Sequence, residues 1–213
     1  MKTDQLIDML STNVEPVKRG QVWKPLIWAL AIGGAASFCV MLATVGLRAQ
    51  AAGGIHVGFL ALKLLFMLSV IGTGTALLIK LIRPGQEARK LFRFLVLPFL
   101  VAGFVGIVAL ALQPSSAWDR MILGTEWVAC LLCIPLFATV PFALLIWALR
   151  KGAPTDLKRT GAIAGLVAGA LGATAYAFHC PDDSLPFVAI WYGAMVVLCA
   201  WFGARLGPRL LRW

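Results

Sequence analysis

Residues 123–149 read LGTEWVACLLCIPLFATVPFALLIWAL, and Glu126 is the only Asp, Glu, Lys or Arg among them. A hydrocarbon core roughly 30 Å thick is crossed by about 20 mainly apolar residues in helical form, so this stretch reads as a membrane span. Working outward, the same criterion picks out 24–46, 56–80, 91–112, 158–178 and 185–206. The composition agrees: 61% of residues are hydrophobic, 13% are charged, and mean hydropathy is +0.89. Such values lie outside the range of a soluble globular domain. Six helices and short links nearly exhaust the 213 residues, leaving no room for a folded aqueous domain. The expected fold is all-α, an integral membrane bundle of six transmembrane helices. It divides into an N-terminal segment 1–23, the bundle 24–206 and a basic tail 207–213.

Basic residues set the orientation, because Lys and Arg are retained on the cytoplasmic side. With the N-terminus inside, the 19 bases divide into 16 inside, Arg48 and Arg120 outside, and Lys63 within the second span. An N-in, C-in multi-pass protein of the bacterial inner membrane follows. Its net charge of +10 is accounted for by a basic rim against anionic membrane lipid, with no direct nucleic-acid partner required. Met1 to Leu10 mixes Asp4 and Asp8 with apolar residues and the first long apolar run begins near Pro25, so no cleavable signal peptide is expected.

The N-terminal segment reads as a short cytoplasmic helix, with Thr3 as its N-cap and Glu15-Pro16 as its end. Leu6, Ile7 and Leu10 share a face beside Asp4 and Asp8. A lipid-surface helix usually has a basic polar face, whereas this one is acidic, so docking to a protein partner is the preferred reading.

Inside the bundle, Lys63 calls for a partner or a snorkelling route to the headgroups, and Glu126 is the carboxylate expected to pair with it. Gly161, Gly165 and Gly169 lie at four-residue spacing on the fifth helix, which favours close backbone packing at the bundle centre. Cys39 reads as inert packing. That fifth helix leads into His179-Cys180-Pro181-Asp182-Asp183-Ser184, the one place where thiol, imidazole and carboxylate groups meet. Pro181 is expected to stop the helix and to leave Asp182 and Asp183 facing the outer water.

Cys130 and Cys180 fall at the same outer depth. If their helices are neighbours, the sulfurs come within bonding range, a condition geometry decides. Three readings stay open: a disulfide, a metal held by Cys130, Cys180 and His179 with Asp182, Asp183 and Glu126 around them, or a plain helix cap. No cofactor is obligatory, and a regulatory heavy-metal ion is the ligand these donors would take. Cys130-x-x-Cys133 is a weak motif inside an apolar helix. Hydrolytic signatures and phosphate-binding glycine loops are absent from the sequence, so no enzyme is expected. A quinone-coupled thiol oxidoreductase and a small transporter are the rival classes, and the short external loops and lack of an internal repeat speak against them.

The opening Met1-Lys2-Thr3-Asp4-Gln5-Leu6-Ile7-Asp8, Lys63-Leu64-Leu65, Arg83-Pro84-Gly85 and above all His179-Cys180-Pro181-Asp182-Asp183-Ser184 with Trp191-Tyr192 carry a resemblance. Over essentially its full length the chain resembles the NrsF family of membrane anti-sigma factors. The resemblance implies sequestration of an extracytoplasmic-function sigma factor by the N-terminal segment, through Asp4, Leu6, Ile7, Asp8 and Leu10. It also implies that Cys130 and Cys180 sense oxidants or heavy metals.

Overall fold

A computed structural model describes residues 3–11, 23–48, 54–82 and 89–212. Among them every regular element is helical: α1 (Thr3–Ser11), α2 (Trp23–Thr44), α3 (Gly54–Leu81), α4 (Arg89–Ala111), α5 (Trp118–Leu123), α6 (Trp127–Leu149), α7 (Leu157–Ala177) and α8 (Leu185–Leu210). Six of these are long and apolar enough to cross a membrane, the fourth such span running from Ser115 to Leu149. Arg83-Pro84-Gly85 and the Glu15-Pro16 end of the first helix lie outside the described residues.

The fourth span departs from expectation at its start. A 3-10 turn at Ser115–Ala117 and the short α5 precede Gly124, whose φ of 61° is the left-handed turn from which α6 begins. Glycine is needed there for a second reason, since a Cβ would lie 2.7 Å from Asp182 Oδ2 and from the Phe187 ring.

α7 is the hub, buried along most of its length and in contact with α8, α6, α3 and α2. Its small residues make this close packing workable. A methyl on Gly161 or Gly165 would collide with the backbone carbonyls of Gly203 and Cys199 in α8, and one on Gly169 would lie 2.8 Å from Cys199 Cβ. The partner ridge on α8 is Gly203 and Gly207, so two glycine lines lie against each other. On its other side Gly172 admits α6, a Cβ there lying 2.7 Å from the Ile134 carbonyl oxygen.

α2 meets α6 at a proline. Pro141 has no N–H, so the Phe137 carbonyl lacks its usual partner four residues on, and Ser37 Oγ donates to that oxygen at 2.7 Å. Ser37 lies on the buried stripe Leu26, Ala29, Gly33, Ser37, Met41. Cys39 projects from the opposite side and is exposed, which corrects its reading as packing. α4 lies at the edge against α3 and the start of α8, with Leu100, Phe104 and Ile107 exposed. Its apolar outer face suits lipid.

Candidate functional site

α7 ends at Ala177, with Phe178 as its C-cap, and the chain then makes one tight turn. The N–H groups of His179 and Cys180 both donate to the Tyr176 carbonyl, at 2.9 and 3.0 Å. The helix therefore stops before Pro181, which keeps the exposed side of the turn. This turn sets the Cys180 side chain inward, 1% exposed, against Cys130 of α6, which is 0% exposed. The two thiols are free and neighbour each other. Cys133, one turn along α6, is half-buried.

The carboxylates after Cys180 do not face open water, contrary to the sequence reading. Asp183 accepts from Lys63 Nζ at 2.9 Å and from Arg48 Nη1 at 2.8 Å, and its side chain is 13% exposed. Lys63, 1% exposed, also donates to the Cys180 carbonyl at 3.3 Å. The expected Lys63–Glu126 pair is thus replaced by Lys63–Asp183. An ammonium buried in a span demands a close carboxylate, and the turn after α7 delivers Asp183 first.

Asp182 turns the other way. Its carboxylate accepts the Thr125 N–H at 3.0 Å, the Thr125 hydroxyl at 3.0 Å and the Glu126 N–H at 2.8 Å. These are unpaired donors at the start of α6, so Asp182 acts as an N-cap supplied from a distant part of the chain. Glu126 enters the site through its backbone.

Neighbouring residues extend the clasp. His179 Nδ1 lies 3.1 Å from the Gly46 carbonyl oxygen, and the Arg48 N–H donates to the Phe178 carbonyl at 3.2 Å. Ser184 Oγ donates to the Met121 carbonyl at 2.6 Å and accepts the Phe187 N–H at 3.3 Å, starting α8. Trp191 Nε1 donates to the Ile122 carbonyl at 2.8 Å. Residues 178–184 therefore tie together the end of α2, the span of α3, α5 and the start of α6.

α8 carries a π-helical stretch, Val188–Tyr192, near its start. Insertions of this kind re-aim side chains and recur at functional sites. Tyr192 at its end is fully buried, its ring centroid 6.2 Å from that of Tyr176. The Tyr192 hydroxyl lies beside the Cys180 thiol and the Tyr176 hydroxyl beside that of Cys130, yet neither completes a well-formed hydrogen bond. The Cys180 thiol is held below the ordinary thiol value, most strongly by the neighbouring Cys130 thiol, against the opposing effect of burial. Lys63, the Tyr192 hydroxyl and the Asp182 backbone N–H act in the same lowering direction.

Among the described residues no three His, Cys, Asp or Glu side chains are grouped to hold a metal. His179, considered with Cys130 and Cys180 as a ligand, instead turns toward Gly46.

The profile of the family described as "Negative regulator of sigma F" (NrsF) matches residues 10–213. The chain belongs to the NrsF family. Two NrsF relatives align over 215 residues, with all of this chain and all of theirs covered. One, from Azospira oryzae, is 29% identical and named probable anti-sigma-F factor NrsF. The other, from Caulobacter vibrioides, is 28% identical and named anti-sigma-F factor NrsF. No solved structure matches this NrsF chain.

Arg48, Tyr176, Tyr192 and the Gly203–Gly207 ridge were not identified as functional or packing residues from sequence. The tyrosines had a signal: the chain has two, and both lie against the thiol pair.

Proposed function

We propose that this NrsF chain is an inner-membrane anti-sigma factor that holds an extracytoplasmic-function sigma factor through its cytoplasmic N-terminal segment. The observation that carries this reading is the family match along residues 10–213, with relatives named anti-sigma-F factors aligning end to end. Ile7 and Met9 of α1 are exposed, as apolar anchors for a partner would be. The side chains of Asp4, Leu6, Asp8 and Leu10 lie outside the described residues.

In this reading both chain ends are inside and the clasp at residues 178–184 is outside. A change at Cys130 and Cys180 alters the turn after α7, and the clasp passes it to α2, α3 and α6. Release requires the signal to bind or bond one bundle state better than the other. Moving an equilibrium from 1:99 to 99:1 takes about 5.5 kcal/mol of such preference. The thiol pair is enclosed rather than presented to substrate proteins, which favours a sensor over a thiol oxidoreductase.

The test is retention of the cognate sigma factor on membranes carrying the full chain or a chain lacking residues 1–20. Retention by the full chain alone supports the proposal. Equal retention by both, or by neither, refutes the N-terminal contact.

A further inference from the structure

Between α6 and α8, away from the clasp, lies a groove of about 240 Å³. Thr139 and Phe142 line it from α6 and Phe202 and Leu206 from α8, with Gly165 and Ala168 of α7 at its back. Thr139, Phe202 and Leu206 are exposed, so the groove opens sideways, toward the acyl chains around a bundle that spans a membrane. The Thr139 hydroxyl bonds within its own helix, donating to the Leu136 carbonyl at 2.7 Å. An occupant therefore has to be apolar along this length.

The end of the groove differs. Helical spacing puts Arg209 one turn beyond Leu206 on the same face of α8, and Arg150 two turns beyond Phe142 on α6. The Arg150 side chain donates through Nε to the Leu210 carbonyl, so the two helix ends meet at this mouth. Residues 150–159 and 205–212 carry seven Lys and Arg, and their one carboxylate, Asp156, is paired with Arg159. Two tryptophans mark the depth. Lys151 Nζ lies 3.8 Å from the Trp147 ring centroid and the Arg205 guanidinium 5.0 Å from that of Trp201, both rings about half exposed. Tryptophan beside a snorkelling cation is the pattern of the headgroup layer.

We propose that this groove holds an acyl chain of one anionic phospholipid, whose phosphate lies on Arg150 and Arg209. A groove facing hydrocarbon gains little from one lipid tail over another, so selection rests on the charge of the headgroup. An acidic protein segment would meet the arginines from the water and leave the groove to any lipid. The bound phosphate also offsets the repulsion among the cations gathered at the ends of α6, α7 and α8. Each cation near the surface strengthens attraction to anionic lipid about fivefold. Assignment to the inner leaflet rests on the N-in, C-in orientation of the proposed function, whereas the preference for an anionic lipid does not.

The experiment is native mass spectrometry of the delipidated full chain in detergent, titrated with dioleoyl phosphatidylglycerol or dioleoyl phosphatidylcholine. One retained phosphatidylglycerol per chain is expected, with phosphatidylcholine about 10-fold weaker or more. Arg150→Gln combined with Arg209→Gln should remove that preference. Arg120→Gln, in α5 at the opposite end of the bundle, should keep it. Thr139→Trp, which fills the groove, should lower retention of both lipids, and Leu206→Trp serves the same purpose where the first variant is not monodisperse. Equal retention of the two lipids, or a preference that survives the double arginine variant, overturns the headgroup contact. Undiminished phosphatidylglycerol retention by a monodisperse tryptophan variant overturns the acyl-chain groove. Sigma-factor retention on membranes carrying the double arginine variant should be unchanged. Its loss with the lipid preference intact assigns the basic end to a protein partner and overturns the proposal, while absence of retention by the unaltered chain bears on the anti-sigma reading alone.

Discussion

Lys63 joins the buried face of α3 to the chemistry at the turn after α7. Its ammonium is 1% exposed, bonds Asp183 and the Cys180 carbonyl, and helps hold the Cys180 thiol below its ordinary value. Breaking a buried ion pair from one side leaves the other charge without that partner, so Lys63→Met should destabilise the fold by about 3–5 kcal/mol, read by denaturant unfolding in detergent. The same variant removes a cation that favours the thiolate. The midpoint of Cys180 modification against pH, measured with a small thiol reagent, should therefore move upward. Asp182 makes a milder test. Asp182→Ala removes the acceptor for the Thr125 and Glu126 N–H groups and should cost about 1 kcal/mol, as lost N-caps do.

At the scale of helices, the lesson lies in glycine pairs and a proline. Gly161 and Gly165 were legible in the sequence as a ridge, because four-residue spacing on one helix is a local pattern. Their partners Gly203 and Gly207 have the same spacing, but which two ridges meet depends on how six helices are arranged. Gly203→Leu should abolish monodisperse folded protein, since any side chain there enters the α7 backbone. Gly58→Ala, where a Cβ meets nothing within 4 Å, should leave the elution profile unchanged. Ser37→Ala tests the α2–α6 crossing in the same way. It leaves the Phe137 carbonyl without its donor and should cost about 1–3 kcal/mol in unfolding free energy.

Across the whole molecule, the clasp at residues 178–184 joins ends of helices that are far apart in the chain, Arg48 and Asp183 among them. Under the proposed mechanism, the double variant Cys130→Ser, Cys180→Ser should keep the sigma factor on the membrane and no longer release it when cadmium or oxidant is added. The measurement is a transcriptional reporter of the sigma factor alongside membrane fractionation. Constitutive release in that variant would make the cysteines structural.

Composition and apolar run length alone established six membrane-competent helices, because hydrocarbon thickness imposes a requirement that each segment meets by itself. The run from His179 to Ser184 likewise stood out where ionisable residues are scarce. What the sequence could not decide was pairing. Lys63 lies 120 residues from Asp183 and 63 from Glu126, the carboxylate at the outer start of the fourth span that the sequence reading names for it. Only the tight turn after α7 sets Asp183 toward Lys63, Asp182 toward α6 and Cys180 toward Cys130. Burial is a property of one segment, whereas an ion pair or a thiol pair is a property of two. The second segment's position comes from helix packing, which the glycine contacts at α7 determine.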